Sequence, residues 1–314
     1  MRGVRGELVG FRAADGVELS GLLFEPSRRP DNAVAVVWLH GNGDSSVFRS
    51  RRTNVLAEIF QRNRIAFFPF DNRGAGLMRW LRRKSGTEKQ SINGGTAYER
   101  IDECVHDIDG ALREVRSRGY RAVYLAGHSS GANKIVVFHT HRPRNRVAGY
   151  ALLAGGDDTG LYRAMWGDAR FDRILGRVRT AVEKGKGGDL VPRQWSPFPM
   201  SYRSLFDTID PDGHYNIFPF GEVRSGNRIS SRPLFDLFGR IRKRMYVAHA
   251  GADEYLGAPA SEILEILRRH QHPDARVRYE LIPDADHGFA GGLDLLGQGL
   301  SDWIHGHPER AAIR

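Results

Sequence analysis

Short runs rich in Val, Ile, Phe and Tyr recur along the chain and alternate with longer segments in which apolar residues return every three or four positions. That alternation predicts an α/β architecture, with buried strands joined by helices that cover the sheet. Residues 8–12 and 17–24, joined by the turn Asp15-Gly16, predict an opening antiparallel pair. Six further strands are expected at residues 33–39, 65–70, 122–126, 147–153, 245–250 and 277–282. Their near-continuous apolar character suits a mostly parallel central sheet flanked by helices on both faces. The clearest helix is expected over 98–118, where Ile101, Val105, Ile108, Leu112 and Val115 follow at intervals of four, three, four and three. Asp102, Glu103, His106 and Asp107 then fall on its solvated face, and Cys104 beside the stripe reads as a packing residue. Other helices are expected at 47–63, 130–140, 260–270 and 293–303.

The pattern breaks over residues 159–243, which carry clusters such as Ser196-Pro197-Phe198-Pro199 and Asn216-Ile217-Phe218-Pro219-Phe220. Eighty-five residues are too many for an ordinary connection of ~2 to 8 residues. The expected organisation is one catalytic core from 1–158 and 244–314, interrupted by an inserted cap or lid at 159–243. Trp166, Trp195, Phe198, Tyr202, Phe206, Tyr215 and Phe218 in that insertion can line an apolar acyl pocket or form the cap's own small core.

Composition excludes several classes. With 314 residues, 40% of them apolar, the chain is long enough to bury a core without staples and is neither a disordered tail nor a disulfide scaffold. A single cysteine, Cys104, allows no internal disulfide and no CxxC metal cluster, which fits a reducing compartment. The charged N-terminus lacks the apolar stretch of a signal peptide, and the longest apolar run, 33–39, is far short of the ~20 residues that span a bilayer. A cytoplasmic protein without membrane insertion is the expectation. The net charge of +10 comes from 47 basic residues, only six of them lysine, scattered without a nucleic-acid-binding motif. A bias in arginine usage explains this better than a nucleic-acid partner does. The one dense basic cluster, residues 79–84, sits in what reads as a long loop after Gly76.

The most informative stretch is Gly127-His128-Ser129-Ser130-Gly131, between the expected strand 122–126 and the helix 130–140. In that setting G-x-S-x-G describes a strained turn that lifts the serine hydroxyl above the sheet edge. Side chains at the flanking glycines would clash with neighbouring strand or helix, and the helix N-terminus favours developing negative charge. A serine nucleophile needs a base and a group that orients the base. His287 follows the last strand and Asp253 follows the strand ending near Ala250. Asp157 and Asp158, after the strand 147–153, and Glu254 are the alternative acids. The tetrahedral oxyanion requires two donors: the backbone N–H of Ser130, and one from His40-Gly41-Asn42-Gly43, with Asn42 preferred and Gly43 second. His128 and His249 read as structural. The H-x-H pairs His139/His141, His270/His272 and His305/His307 have no third ligand at metal-site spacing in the sequence, so they read as surface histidines and no metal or cofactor is implied.

Taken in chain order, the oxyanion loop, the elbow, Asp253 and His287 resemble the α/β-hydrolase superfamily from the first strand to the last helix, interrupted by the insertion. Asp71-Asn72-Arg73-Gly74-Ala75-Gly76 is similar to that family's Asp-x-Arg-Gly-x-Gly loop, which implies that Asp71 and Arg73 shape the site without performing chemistry. Gly-His-Ser-Ser-Gly and Asp253-Glu254-Tyr255 also resemble a poorly characterised group that includes fungal siderophore esterases. The resemblance implies an α/β-hydrolase fold and a serine hydrolase of the carboxylesterase type, cleaving a small-molecule ester through an acyl-Ser129 intermediate. The same triad would serve an amidase, peptidase or thioesterase, and a ligand-binding or sensing protein would keep it as a vestige. The basic cluster at 79–84, which this reading brings near the rim of the site, would steer an anionic ester.

Overall fold

Parallel strands need crossovers, and the helical segments between the apolar runs supply them. The computed structural model describes residues 4–30 and 32–306, so Met1 to Gly3 of the charged N-terminus, residue 31, His307 and the rest of the C-terminus lie outside the described residues. The strands are β1 (Glu7–Arg12), β2 (Glu18–Leu23), β3 (Val34–Leu39), β4 (Ile65–Asp71), β5 (Arg79–Ser85), β6 (Glu88–Gly94), β7 (Ala122–His128), β8 (Gly149–Leu153), β9 (Met245–Ala250) and β10 (Val277–Ile282). Eight of them form one sheet in the order β1-β2-β4-β3-β7-β8-β9-β10. β1 and β2 are antiparallel, β2 meets β4 antiparallel, and every later pair is parallel. All eight strands read from the apolar runs are present.

The main helices are α1 (Arg51–Arg62), α2 (Cys104–Ser117), α3 (Ser130–His141), α4 (Asp158–Trp166), α5 (Asp168–Glu183), α6 (Tyr202–Ile209), α7 (Phe220–Ser225), α8 (Asp236–Gly239), α9 (Ala260–His270) and α10 (Leu293–His305). Two helix starts fall later than expected. The segment expected to begin at residue 47 opens as a short 3-10 turn, and Ser50 caps α1 by accepting from the Thr53 N–H at 3.4 Å. The one expected from residue 98 has a 3-10 turn over Ile101–Glu103, where the Ile101 N–H is held by Asp207 Oδ2 at 2.6 Å.

Helices α2, α3 and α9 bury their apolar stripes against one face of the sheet, and α1 and α10 against the other. In α2 the stripe is as expected, but Asp107 is not on a solvated face. It is fully buried and accepts from Arg73 Nε at 3.0 Å and from the Arg73 backbone N–H at 2.9 Å. The guanidinium also reaches Asp15 at 3.1 Å, so this loop arginine ties the first hairpin to α2. Asp71 accepts from the Val47 N–H at 2.7 Å and from Ser46 at 3.0 Å.

The basic cluster 79–84 is not a loop. It is strand β5, paired with β6 in a separate antiparallel hairpin that runs along the β1–β2 turn, where the Lys84 N–H donates to Gly16 O at 2.9 Å and Arg83 Nε to Asp15 O at 3.0 Å. Between β8 and β9, α4 to α6 gather Tyr162, Trp166, Phe171, Trp195, Leu205 and Ile209 into a cluster of their own. Tyr215, Phe218, Phe220 and Phe238 instead join the cluster beneath α2, α3 and α9. Among the described residues no helix is long and apolar enough to cross a membrane.

Behind the elbow, Lys134 of α3 is wholly buried and forms an ion pair with the buried Glu99 at 2.6 Å. Removing one partner strands the other charge in a low-dielectric interior, so Glu99→Ala is expected to cost ~3–5 kcal/mol. Changing both residues to methionine should recover much of that loss in urea unfolding. A double variant no more stable than the single one would contradict this account.

Candidate active site

The parallel register sets Leu39 beside Gly127, His128 beside Leu153, Leu153 beside Ala248 and Ile282 beside Ala250, so β3, β7, β8, β9 and β10 all end along one edge. The loops that leave this edge carry every residue singled out for chemistry. In an open α/β sheet such an edge is where ligands bind.

Ser129 occupies the step from β7 into α3 with φ of 57° and ψ of −131°, a conformation that strains a residue with a side chain by ~1–3 kcal/mol. Its N–H donates to Leu153 O at 2.8 Å, which fixes the turn. The flanking glycines are required by space: a Cβ on Gly127 would lie 2.2 Å from Gly131 O, and one on Gly131 2.4 Å from Leu39 O. As the first residue of α3, Ser130 has no intrahelical acceptor for its N–H.

The second loop, 40–46, is held from several sides. His40 is buried, donates through Nδ1 to Gly41 O at 2.7 Å and accepts the Asn72 N–H at Nε2 at 3.1 Å. Burial, reinforced by the nearby Lys134 charge, lowers its pKa to about 3, so the ring stays neutral in this double role. Thr96 donates to Gly43 O at 2.6 Å and Ser45 to Asn42 O at 2.8 Å. Asn42 Oδ1 accepts the Gly43 N–H at 2.9 Å, which occupies that donor, and Asn42 Nδ2 donates to Tyr215 Oη at 3.2 Å.

His287 and Asp253 come together after β10 and β9. Nδ1 of the histidine lies 3.0 and 2.9 Å from the two carboxylate oxygens of Asp253, whose side chain is fully buried. The Nδ1–H therefore donates to the carboxylate and leaves Nε2 as the basic nitrogen. The neighbouring Glu254 accepts the His287 backbone N–H at 3.0 Å. The His287 carbonyl accepts from His128 Nε2 at 2.7 Å, and the rings of His128 and Tyr255 each stand 4.9 Å from the imidazole. His128 has its pKa lowered well below the usual value by burial and by the charge of Arg52, so it too is neutral. The hydrogen bonds of His287 run to Asp253, Glu254 and His128; among the described residues none joins it to Ser129 Oγ. Such bonds often tighten only once substrate is bound.

The other acids behave differently. Asp157 caps α4 by accepting the Gly160 N–H at 2.7 Å and also takes the Gly221 N–H at 2.8 Å. Asp158 lines the same cavity as Ser129 and His287, and burial pushes its carboxyl up to about 6. His249 is buried against Phe220, its pKa lowered to about 4 by burial, and does not line the cavity.

Ser129, His287, Asp253 and Asn42 border one cavity of about 380 Å³. Its apolar wall comes mainly from Leu161, Tyr162, Met165, Phe198, Phe220 and Leu256. None of residues 79–84 borders it; its cation is Arg52 of α1. Arg52 donates to Gly288 O at 3.1 Å, and burial lowers its pKa to about 10. Arg52 and Tyr162 are contributions that sequence patterning did not reveal, because each is brought in by tertiary contact from a helix face or from the insertion; Tyr215, expected in an acyl pocket or in the cap's own core, does not border the cavity and instead holds Asn42.

Residues 36–293 match the model of the alpha/beta hydrolase family. No curated protein sequence matches the chain. Among solved structures, Est1E from Butyrivibrio proteoclasticus with ferulic acid bound is similar at a TM-score of 0.62 and 14% identity, covering 95% of this chain and 98% of that one. The Pyrococcus furiosus esterase Pf2001 gives a TM-score of 0.56 at 14% identity, covering 97% and 93%. Mouse alpha/beta hydrolase domain-containing protein 10 gives 0.59 at 17%, covering 96% and 99%. At these identities the likeness is one of fold.

Proposed function

The chain belongs to the alpha/beta hydrolase family, and from that premise we propose that it is a carboxylesterase working through an acyl-Ser129 intermediate. The observation that carries this reading is the strained Ser129 and the Asp253-paired His287 bordering one cavity. Ser129 Oγ attacks the ester carbonyl carbon while His287 Nε2 takes its proton. The negative charge that develops on the carbonyl oxygen is met by the backbone N–H groups of Ser130 and Asn42, Gly43 being already engaged. The intermediate collapses as His287 returns the proton to the leaving alkoxide. Water then attacks the acyl-enzyme by the same route, with Asp253 holding the tautomer and stabilising the imidazolium in both halves. No cofactor enters these steps.

Residues 159–243 act as the cap in this reading, and α4 with residues 197–198 supplies the wall over the serine. That wall suits an apolar, ring-sized acyl group. Est1E is recorded with ferulic acid, an acid of this kind. Arg52, and not the cluster at 79–84, adds a preference for a substrate that also carries an anionic group. An ester panel graded in acyl size and charge tests both points. Turnover of carboxylic esters is expected, and failure to hydrolyse any of them would sink the assignment. Arg52→Met is expected to lower the ratio of kcat/KM for acidic over neutral esters by ~10- to 100-fold, the usual worth of a charge-assisted hydrogen bond. An unchanged ratio would remove Arg52 from substrate selection.

A further inference from the structure

Away from the catalytic cavity, three side chains from three separate segments meet at the surface. Asp102 lies in the 3-10 turn ahead of α2, His141 is the last residue of α3, and His214 belongs to the stretch between α6 and α7. Asp102 Oδ1 is 3.0 Å from His141 Nε2 and 2.7 Å from His214 Nδ1, and the three atoms lie within 4.8 Å of one another. The two imidazoles stand nearly perpendicular, at 87°. The side chains are 49%, 37% and 36% exposed, which leaves open positions for water. Asp207 stands beside both Asp102 and His214 with its carboxyl pushed up to about 7 by burial, and Arg232 places an opposing charge near His214. His139, read from the sequence as a surface histidine, is instead buried against Tyr150 with its Nδ1 3.1 Å from the hydroxyl.

We propose that Asp102, His141 and His214 form a binding site for a divalent transition-metal ion, Zn2+ being the probe of choice, that clasps the inserted segment to the catalytic core. Two imidazole nitrogens and one carboxylate oxygen are a donor set that suits zinc, nickel or copper, whereas magnesium and calcium prefer oxygen alone. Ligands ~2.0–2.2 Å from a tetrahedral zinc are about 3.3 Å apart, so the two carboxylate–imidazole separations have to open by about 0.3 and 0.6 Å, and the two imidazole nitrogens, within 4.8 Å of each other, have to close by up to about 1.5 Å through rotation of exposed side chains. The ion takes the place of the two hydrogen bonds now made to Asp102, with each ring carrying its proton on the nitrogen away from the metal. His214 is followed by Tyr215, whose hydroxyl accepts from Asn42 Nδ2, so the clasp would anchor the stretch that reaches the oxyanion loop.

Calorimetric titration of the full chain with ZnCl2, after treatment with chelator, tests this directly. One equivalent is expected to bind and to raise Tm. His214→Gln, His141→Gln and Asp102→Asn should each weaken binding at least ~10-fold and shrink the rise in Tm accordingly. Co2+ in place of Zn2+ should give visible absorption that the same variants lose. Absence of binding, or binding that all three variants leave unchanged, would overturn the proposal; the second result would place the ion on other histidines.

Discussion

Replacing Ser129 by alanine is expected to lower kcat/KM on every ester the protein hydrolyses by ~10⁴- to 10⁶-fold, the range seen when the nucleophile of such a triad is removed. Alanine keeps the Cβ that already sits at φ of 57°, so the backbone strain, the Leu153 contact and the start of α3 are unchanged and Tm should stay within ~2 °C of the parent. Residual activity above that of water would come from Asn42 and Ser130, which still polarise a bound carbonyl. Steady-state assays with active-site concentration fixed by protein mass are the check. A loss of less than tenfold in a folded variant would show that another nucleophile carries the chemistry.

Asp253→Asn comes second in size, with an expected loss in kcat of ~10⁴-fold. The amide can donate where the carboxylate only accepts, which turns the His287 ring to the wrong tautomer and leaves the imidazolium without its counter-charge. The effect should be far smaller at the rival acids. Glu254 holds the His287 backbone and not its ring, and Asp158 has no hydrogen bond to the imidazole, so Glu254→Gln and Asp158→Asn should each stay within about tenfold. Comparing the three variants in one assay separates them. If Asp158→Asn collapses activity and Asp253→Asn does not, the acid has been misassigned.

How much could be read from sequence varies with the physical origin of each feature. The eight strands of the main sheet were legible because they are buried on both faces or carry a clear apolar run, and the loops at their ends carried the proposed nucleophile, acid and base in chain order. The β5–β6 hairpin was not legible, because Leu81 is the one fully buried residue of β5 and the strand otherwise reads as a charged loop. Asp107 was misplaced on a solvated face since nothing in helical periodicity signals that Arg73, 34 residues earlier, will pair with it. The same limit applies to His214 beside Asp102, 112 residues apart, and to Arg52 entering the cavity beside Ser129 from α1. Local rules find elements and motifs; they do not find which distant side chains meet.

The central claim is that Ser129 is an activated nucleophile. The measurement that reaches it most directly is labelling of the native protein with a fluorophosphonate, followed by intact mass and peptide mapping. The account predicts one adduct per chain, on Ser129, formed rapidly in the parent, much more slowly in the Asp253→Asn variant, and not at all after Ser129→Ala or in the urea-unfolded chain. Failure of the folded parent to react, or equal labelling of the Ser129→Ala variant, would contradict it.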